Sequence, residues 1–218
     1  MFAGRNVSVT HAALSSTRVM GTCISMGQAM GTAVAMAVRH SLTPREVSER
    51  VNELQQLLLL DDCYLPRIPQ KFSSLTINAR LKASNGVDPE PVRDGWNRQI
   101  GDDPHAWTAR SGDSITYLFE TPSHVSEVKL LLDTAMDRDL ALSLHYRDHG
   151  MTHTPEETPR RFRIDVMKDG EWHKFRVVEG NYQRQVCVGI GEVVEGVRYT
   201  LTETHGAETS RVYGFYVR

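Results

Sequence analysis

The chain has 218 residues, enough for one or two domains. Its 25 Lys+Arg against 27 Asp+Glu leave a net charge of -2, which excludes an overall electrostatic pull toward nucleic acid or anionic lipid. Three cysteines, Cys23, Cys63 and Cys187, share no C-x-x-C spacing, which argues against a disulfide framework or a zinc or iron–sulfur site and for free thiols.

The chain opens on Met1-Phe2-Ala3-Gly4-Arg5, which has neither the charged nor the apolar region of a signal peptide. No stretch of the chain reaches the roughly 20 uninterrupted apolar residues of a membrane helix. Met1 to Val9 reads as the end of a strand, followed by a polar loop over Thr10–Arg18. A long helix is expected from near Val19 to about His40. No charge falls between Arg18 and Arg39, and the helix is apolar or small nearly all round, so it is expected to be buried in a larger body. Gly21, Gly27 and Gly31 each cost roughly 0.5–1 kcal/mol against Ala inside a helix. They ask for a compensating close approach, by a neighbouring helix or by a flat ligand. A second helix follows, with Thr43 as N-cap, Pro44 at its first position and Glu46 closing a capping box. Val47, Val51, Leu54, Leu57 and Leu58 form its apolar face, and Asp61-Asp62-Cys63-Tyr64-Leu65-Pro66 ends it.

Three stretches of this region carry a resemblance. They are Ala3-Gly4-Arg5-Asn6-Val7-Ser8-Val9-Thr10-His11, Ser16–Cys23, and Met26-Gly27-Gln28-Ala29-Met30-Gly31-Thr32-Ala33. Together with a closing helix near Leu54-Gln55-Gln56, they resemble the C-terminal end of the FAD-binding domain in bacterial FAD-dependent oxidoreductases related to the flavin subunit of heterodisulfide reductases. The resemblance implies FAD as cofactor. It places Gly4, Arg5 and the N–H groups of Met20, Gly21 and Thr22 at the flavin, where a helix N-terminus suits an anionic or electron-rich oxygen. It puts His11 and Arg18 near the ring and substrate as catalytic candidates; structural roles for both stay open. The departure from the family is large. A dinucleotide site needs a first βαβ unit with a G-x-G-x-x-G turn, and no such turn follows a strand in this sequence. The reading is therefore a C-terminal fragment of a flavoenzyme whose redox activity belongs to the complete protein. Its partner is the missing N-terminal FAD domain or another chain, and its compartment, cytoplasmic or periplasmic, is open.

Arg67–Ser74 reads as a linker, within a boundary region 67–76. Beyond it, alternation predicts strands over Ser114–Glu120, Val125–Leu132, Leu140–Tyr146, Phe162–Met167, Trp172–Val178, Gly196–Glu203 and Ser210–Val217, with a hairpin turn at Lys168-Asp169-Gly170-Glu171. Short strands at this spacing mean a sandwich or jelly roll. The order Asp94-Gly95, Ala106-Trp107-Thr108, then Val166–Trp172 and Tyr213-Gly214-Phe215-Tyr216 resembles a discoidin-type, galactose-binding-like jelly roll. The fold class is thus α+β: a two-helix remnant of an FAD-binding α/β domain (1–66), then an all-β jelly-roll sandwich (77–218).

Such a resemblance implies a carbohydrate partner and a stacking aromatic, for which Trp96 is the candidate. Trp107 and Trp172 read as core residues. A structural calcium near Asp94 is a further implication of the resemblance. His145, His149 and His153 recur every four residues, but Gly150, Pro155 and Pro159 make that stretch a loop, not a metal-binding helix face. Asp102 and Asp103 lack an opposing acidic pair for glycoside hydrolysis. No metal site, nucleic acid or membrane partner is expected. The sandwich is left with two readings, recognition of carbohydrate or a purely structural role.

Overall fold

The computed structural model describes residues 2–137 and 153–218. They form two compact units, 1–70 and 71–218.

The first unit is helical: α1 (His11–Thr17), α2 (Met20–His40), α3 (Pro44–Glu49) and α4 (Val51–Leu60). The strand expected before residue 9 is not there, because Gly4 turns the chain at φ 88° and Val7 donates back to its carbonyl. The polar stretch after it is α1 rather than a loop. The capping box forms as read: Glu46 N–H donates to Thr43 Oγ1 at 3.3 Å, and Thr43 N–H donates to Glu46 Oε2 at 2.7 Å. The second helix breaks at Arg50 into α3 and α4.

The burial expected for α2 is confined to one stripe of its C-terminal half. Ala33 and Met36 pack with Val47, Leu54 and Leu57, while Met20, Ile24 and Val38 are 83%, 71% and 77% exposed. Two short helices cannot wrap a helix of 21 residues, so the rest of its apolar surface faces solvent. A Cβ added at Gly21, Gly27 or Gly31 would meet nothing within 4 Å. The close approach expected at these glycines is thus not made by any of the described residues.

The second unit begins with α5 (Ser74–Asn78), which overlaps the end of the stretch 67–76 read as linker. Its strands are β1 (Arg80–Ala83), β2 (Trp107–Arg110), β3 (Ser114–Leu132), β4 (Pro159–Lys168), β5 (Glu171–Val178), β6 (Gln185–Thr204) and β7 (Thr209–Val217), all antiparallel. The strand expected over 140–146 lies outside the described residues. β3 and β6 are long and shift register between Leu118 and Ser123. Residues 114–118 of β3 sit between β1 and the second half of β6, which continues to β4 and β5. Residues 123–132 sit between the first half of β6 and β7, which continues to β2. The two long strands thus belong to two layers of one sandwich.

The core lies between the layers. Tyr117 and Phe215 meet across it with ring centroids 4.8 Å apart, and Tyr117 Oη donates to the Phe215 carbonyl at 2.8 Å. Trp107, Ile115, Leu130, Phe162, Ile164 and Tyr199 are buried around them. Trp107 is a core residue as read, its Nε1–H donating to Asn85 at 3.2 Å. The β4–β5 hairpin turns on Asp169 and Gly170, both at positive φ (52° and 76°), the combination a tight hairpin loop requires.

Candidate functional site

Residues 94–105 form a loop that the chain folds tightly. Gly95, Asn97, Gly101 and His105 all take positive φ, and Asn97 and His105 are residue types that tolerate it. Asp94 Oδ1 accepts the Trp96 N–H at 2.9 Å, and Asp103 Oδ1 accepts the His105 N–H at 3.1 Å, so two aspartates build their own turns. His105 Nδ1 lies 2.5 Å from Asp94 Oδ2, and its ring stands 5.9 Å from Trp96. Asn97 fastens the loop to the sandwich: its carbonyl accepts from Arg184, and its side-chain oxygen accepts from the Tyr216 hydroxyl.

This anchoring shapes a pocket of about 250 Å³ lined by Arg98, Gln99, Met136, Asp137, Arg184 and Tyr213. Its wall is rigid. Asp133 is 1% exposed and accepts from Arg211 Nε at 2.7 Å, from the Arg211 N–H and from the Ala135 N–H. Arg211 also reaches Asp137 at 2.9 Å. Burial alone would lower the pKa of Arg211; the hydrogen bonds and charge of Asp133 outweigh it and hold the guanidinium above its ordinary value. Burial, with the Asp133 charge beside it, pushes the Tyr213 phenol up to about 12, so the ring stays neutral. Arg184 and Arg211 flank that ring, 5.1 and 5.5 Å from its centroid. An aromatic wall, an amide, a carboxylate and a guanidinium thus converge on one space.

The sequence singled out Trp96 from this loop, and the structure places it half-buried beside His105. It missed Gln99, Asp137, Arg184 and Tyr213, which come from four separate segments. Asp94, offered for calcium, is committed to Trp96 and His105; Asp103 is committed to His105. Among the described residues no group of three His, Cys, Asp or Glu side chains is placed to hold a metal ion; His145 and His149 lie outside them. Trp172 is not a core residue. It is half-buried on the outer surface, with the Arg198 guanidinium 4.3 Å from its ring centroid.

The flavin candidates all belong to the helical unit. Gly4 is in a turn, and Arg5, His11 and Arg18 are exposed, their side chains making no hydrogen bond or ion pair among the described residues. Met20 and Gly21 are exposed at the start of α2, and Thr22 Oγ1 donates to the Ser16 carbonyl at 3.2 Å. Residues 2–70 include no strand, so they lack the βαβ unit that cradles a dinucleotide, and they do not by themselves fit FAD. No described helix is long and apolar enough to cross a membrane.

A model of the family "FAD dependent oxidoreductase" matches residues 1–58. No curated protein matches the chain. Among solved structures, the family 32 carbohydrate-binding module of Streptococcus pneumoniae EndoD is similar with a TM-score of 0.50 and 14% identity, over 67% of this chain and 99% of that one. Chitosan-binding module 1 of a chitosanase/glucanase from Paenibacillus sp. IK-5 aligns with a TM-score of 0.45 and 16% identity, over 67% of this chain and 98% of that one. The N-terminal helical region thus resembles part of an oxidoreductase family, and the antiparallel sandwich has a fold like that of the EndoD module.

Proposed function

We propose that the sandwich is a carbohydrate-binding module that holds a sugar in the pocket bounded by Gln99, Asp137, Arg184 and Tyr213. The pocket's chemistry carries this reading. Sugar hydroxyls both donate and accept, and they need carboxylate and amide acceptors beside guanidinium and amide donors. The C–H face of a pyranose needs a flat apolar surface, which a neutral Tyr213 supplies. The volume of about 250 Å³ suits one small saccharide unit rather than a drug-sized ligand, whose pockets run from about 300 Å³ upward. The same reading takes the sandwich as a discoidin-type, galactose-binding-like jelly roll, with Trp96 as an accessory stacking residue. Its likeness to the EndoD module supports this.

The test is a glycan array with the full chain, followed by calorimetry on the hits. Gln99→Ala and Trp96→Ala should each weaken binding about tenfold, the scale of one lost hydrogen-bonding or stacking group. An array without hits would leave the sandwich as a purely structural body, and variants that bind unchanged would move the sugar away from this pocket.

The family match over residues 1–58 favours a second reading, for the helices alone. Residues 1–66 contribute the closing segment of an FAD-dependent oxidoreductase domain, joined through 67–76 to the module at 77–218. His11 and Arg18 would face substrate, and Gly4, Arg5, Met20, Gly21 and Thr22 the cofactor, once the rest of the domain is supplied by preceding sequence or another chain. Purified chain is then expected to be colourless, with a melting temperature indifferent to added FAD. A flavin absorbance band from this chain alone would overturn that account.

A further inference from the structure

The outward face of the β1-β3-β6-β4-β5 layer carries an excess of positive charge. Residues directly opposite one another on antiparallel strands share a face, so the strand register can be read as rows. One row is Lys82, Thr116, Arg198, Asp165 and Lys174. Flanking it are Arg80, Leu118, Gly196, Met167 and Trp172 on one side, and Ser114, Thr200, Arg163 and Val177 on the other. The intervening positions, among them Ile115, Tyr117, Val197, Tyr199 and Ile164, are buried in the core. These rows therefore present five cationic side chains and one carboxylate. That carboxylate, Asp165, is 2% exposed and already held by Arg198 at 2.9 Å and Arg163 at 2.7 Å. Arg80, Lys82 and Lys174 have no ion pair among the described residues. In a chain of net charge -2 this is a local concentration of positive charge.

The face also has a built groove of about 360 Å³, lined by Lys82, Thr116, Leu118, Met167, Trp172 and Arg198. Its apolar members are Leu118, Met167 and Trp172. The indole lies against the sheet at Gly196, where a methyl would stand 3.4 Å from the Trp172 ring. Asp165 fixes Arg198, which in turn fixes the indole, so both recognition groups are ordered before any ligand arrives.

We propose that this face binds an acidic polysaccharide, a chain of uronate residues, with Trp172 and Met167 under the sugar rings and Lys82, Lys174 and Arg80 paired to the carboxylates. Apolar side chains among spaced cations match a ligand that alternates a C–H face with an anionic group. A plain polyanion would use only the cations. The site is separate from the loop-end pocket and goes beyond the function proposed for it.

The experiment is calorimetric titration of the full chain with polygalacturonate, with dextran and polyphosphate as neutral and non-sugar controls. Polygalacturonate should bind, and binding should fade in ~1 M salt, where charges are screened beyond about 3 Å. The double variant Lys82→Glu/Lys174→Glu alters two exposed side chains and should weaken binding about tenfold or more at unchanged melting temperature. Trp172→Ala should weaken it as well, and Gln99→Ala should leave it unchanged. No binding of polygalacturonate, or equal binding by the double variant, would overturn the proposal. Equal affinity for polyphosphate, indifferent to Trp172→Ala, would overturn it in favour of unspecific polyanion exchange. Loss with Gln99→Ala would assign the uronate to the loop-end pocket instead.

Discussion

The Thr76 hydroxyl donates to the Val217 carbonyl at 2.8 Å and accepts the Val217 N–H at 3.0 Å. One side chain thereby satisfies both backbone groups at the end of β7, as a neighbouring strand would. Ser73 Oγ adds a second donor to the same carbonyl. The start of the sandwich unit is thus tied to the end of the chain.

Thr76 is fully buried, so Thr76→Val keeps the shape and leaves the Val217 N–H without its acceptor. The expected loss is about 1–3 kcal/mol, the cost of an unsatisfied buried polar group. Guanidinium unfolding followed by tryptophan fluorescence measures it cleanly, since Trp96, Trp107 and Trp172 all lie within 71–218. An unchanged midpoint would contradict the tie.

Asp133→Ala removes the buried partner of Arg211 and abandons the Ala135 N–H as well. Stripping one member of a buried pair costs about 3 kcal/mol or more, and the same unfolding assay should show it. Asp137→Ala, which takes away only the more exposed of the two carboxylates, should cost well under half as much.

Gly196→Ala tests how closely β6 packs on β3 beneath the indole. The new methyl would stand 2.7 Å from the Tyr117 carbonyl oxygen, an atom held in the ladder. A destabilisation of about 1–3 kcal/mol is expected, with a shift in Trp172 fluorescence.

Acid should act on α3 through Glu46. Hydrogen bonds from the Thr43 backbone, then from its side chain, hold the Glu46 carboxyl below the usual range. A pKa lowered by folding means the stabilisation is complete above the ordinary glutamate value of about 4.3 and fades as pH falls through the lower, folded value. The difference in helical circular dichroism between the parent chain and Glu46→Gln should therefore be constant at neutral pH and shrink in acid.

Met20, Ile24 and Val38 leave α2 with a wide exposed apolar surface, and light scattering should show concentration-dependent association. Ile24→Glu with Val38→Glu should reduce it. A monodisperse parent chain would count against this expectation.

What the sequence revealed was local. The capping box at Thr43 and Glu46 and the hairpin at Asp169 and Gly170 involve neighbours only, and both form as the residue types require. The absence of charge along α2 marked a helix, yet could not say what would cover it. The first half of β6 went unread because Gly189 and Gly191 interrupt its alternation. The loop-end pocket was illegible for a different reason: Gln99, Asp137, Arg184 and Tyr213 meet only once β6 and β7 have both paired with β3. Trp172 left one usable sign, a glycine within a strand, which often marks close approach by another group.

The shared strands also bear on how the sandwich comes apart. With β3 and β6 each threaded through both layers, neither layer can peel away while the other stays whole. Amide protons near Tyr117 and near Leu130, on opposite sides of the bend, should therefore exchange with solvent at a common, global rate. Strand partners so far apart along the chain also imply slow refolding, because distant stretches must find one another before either is rewarded.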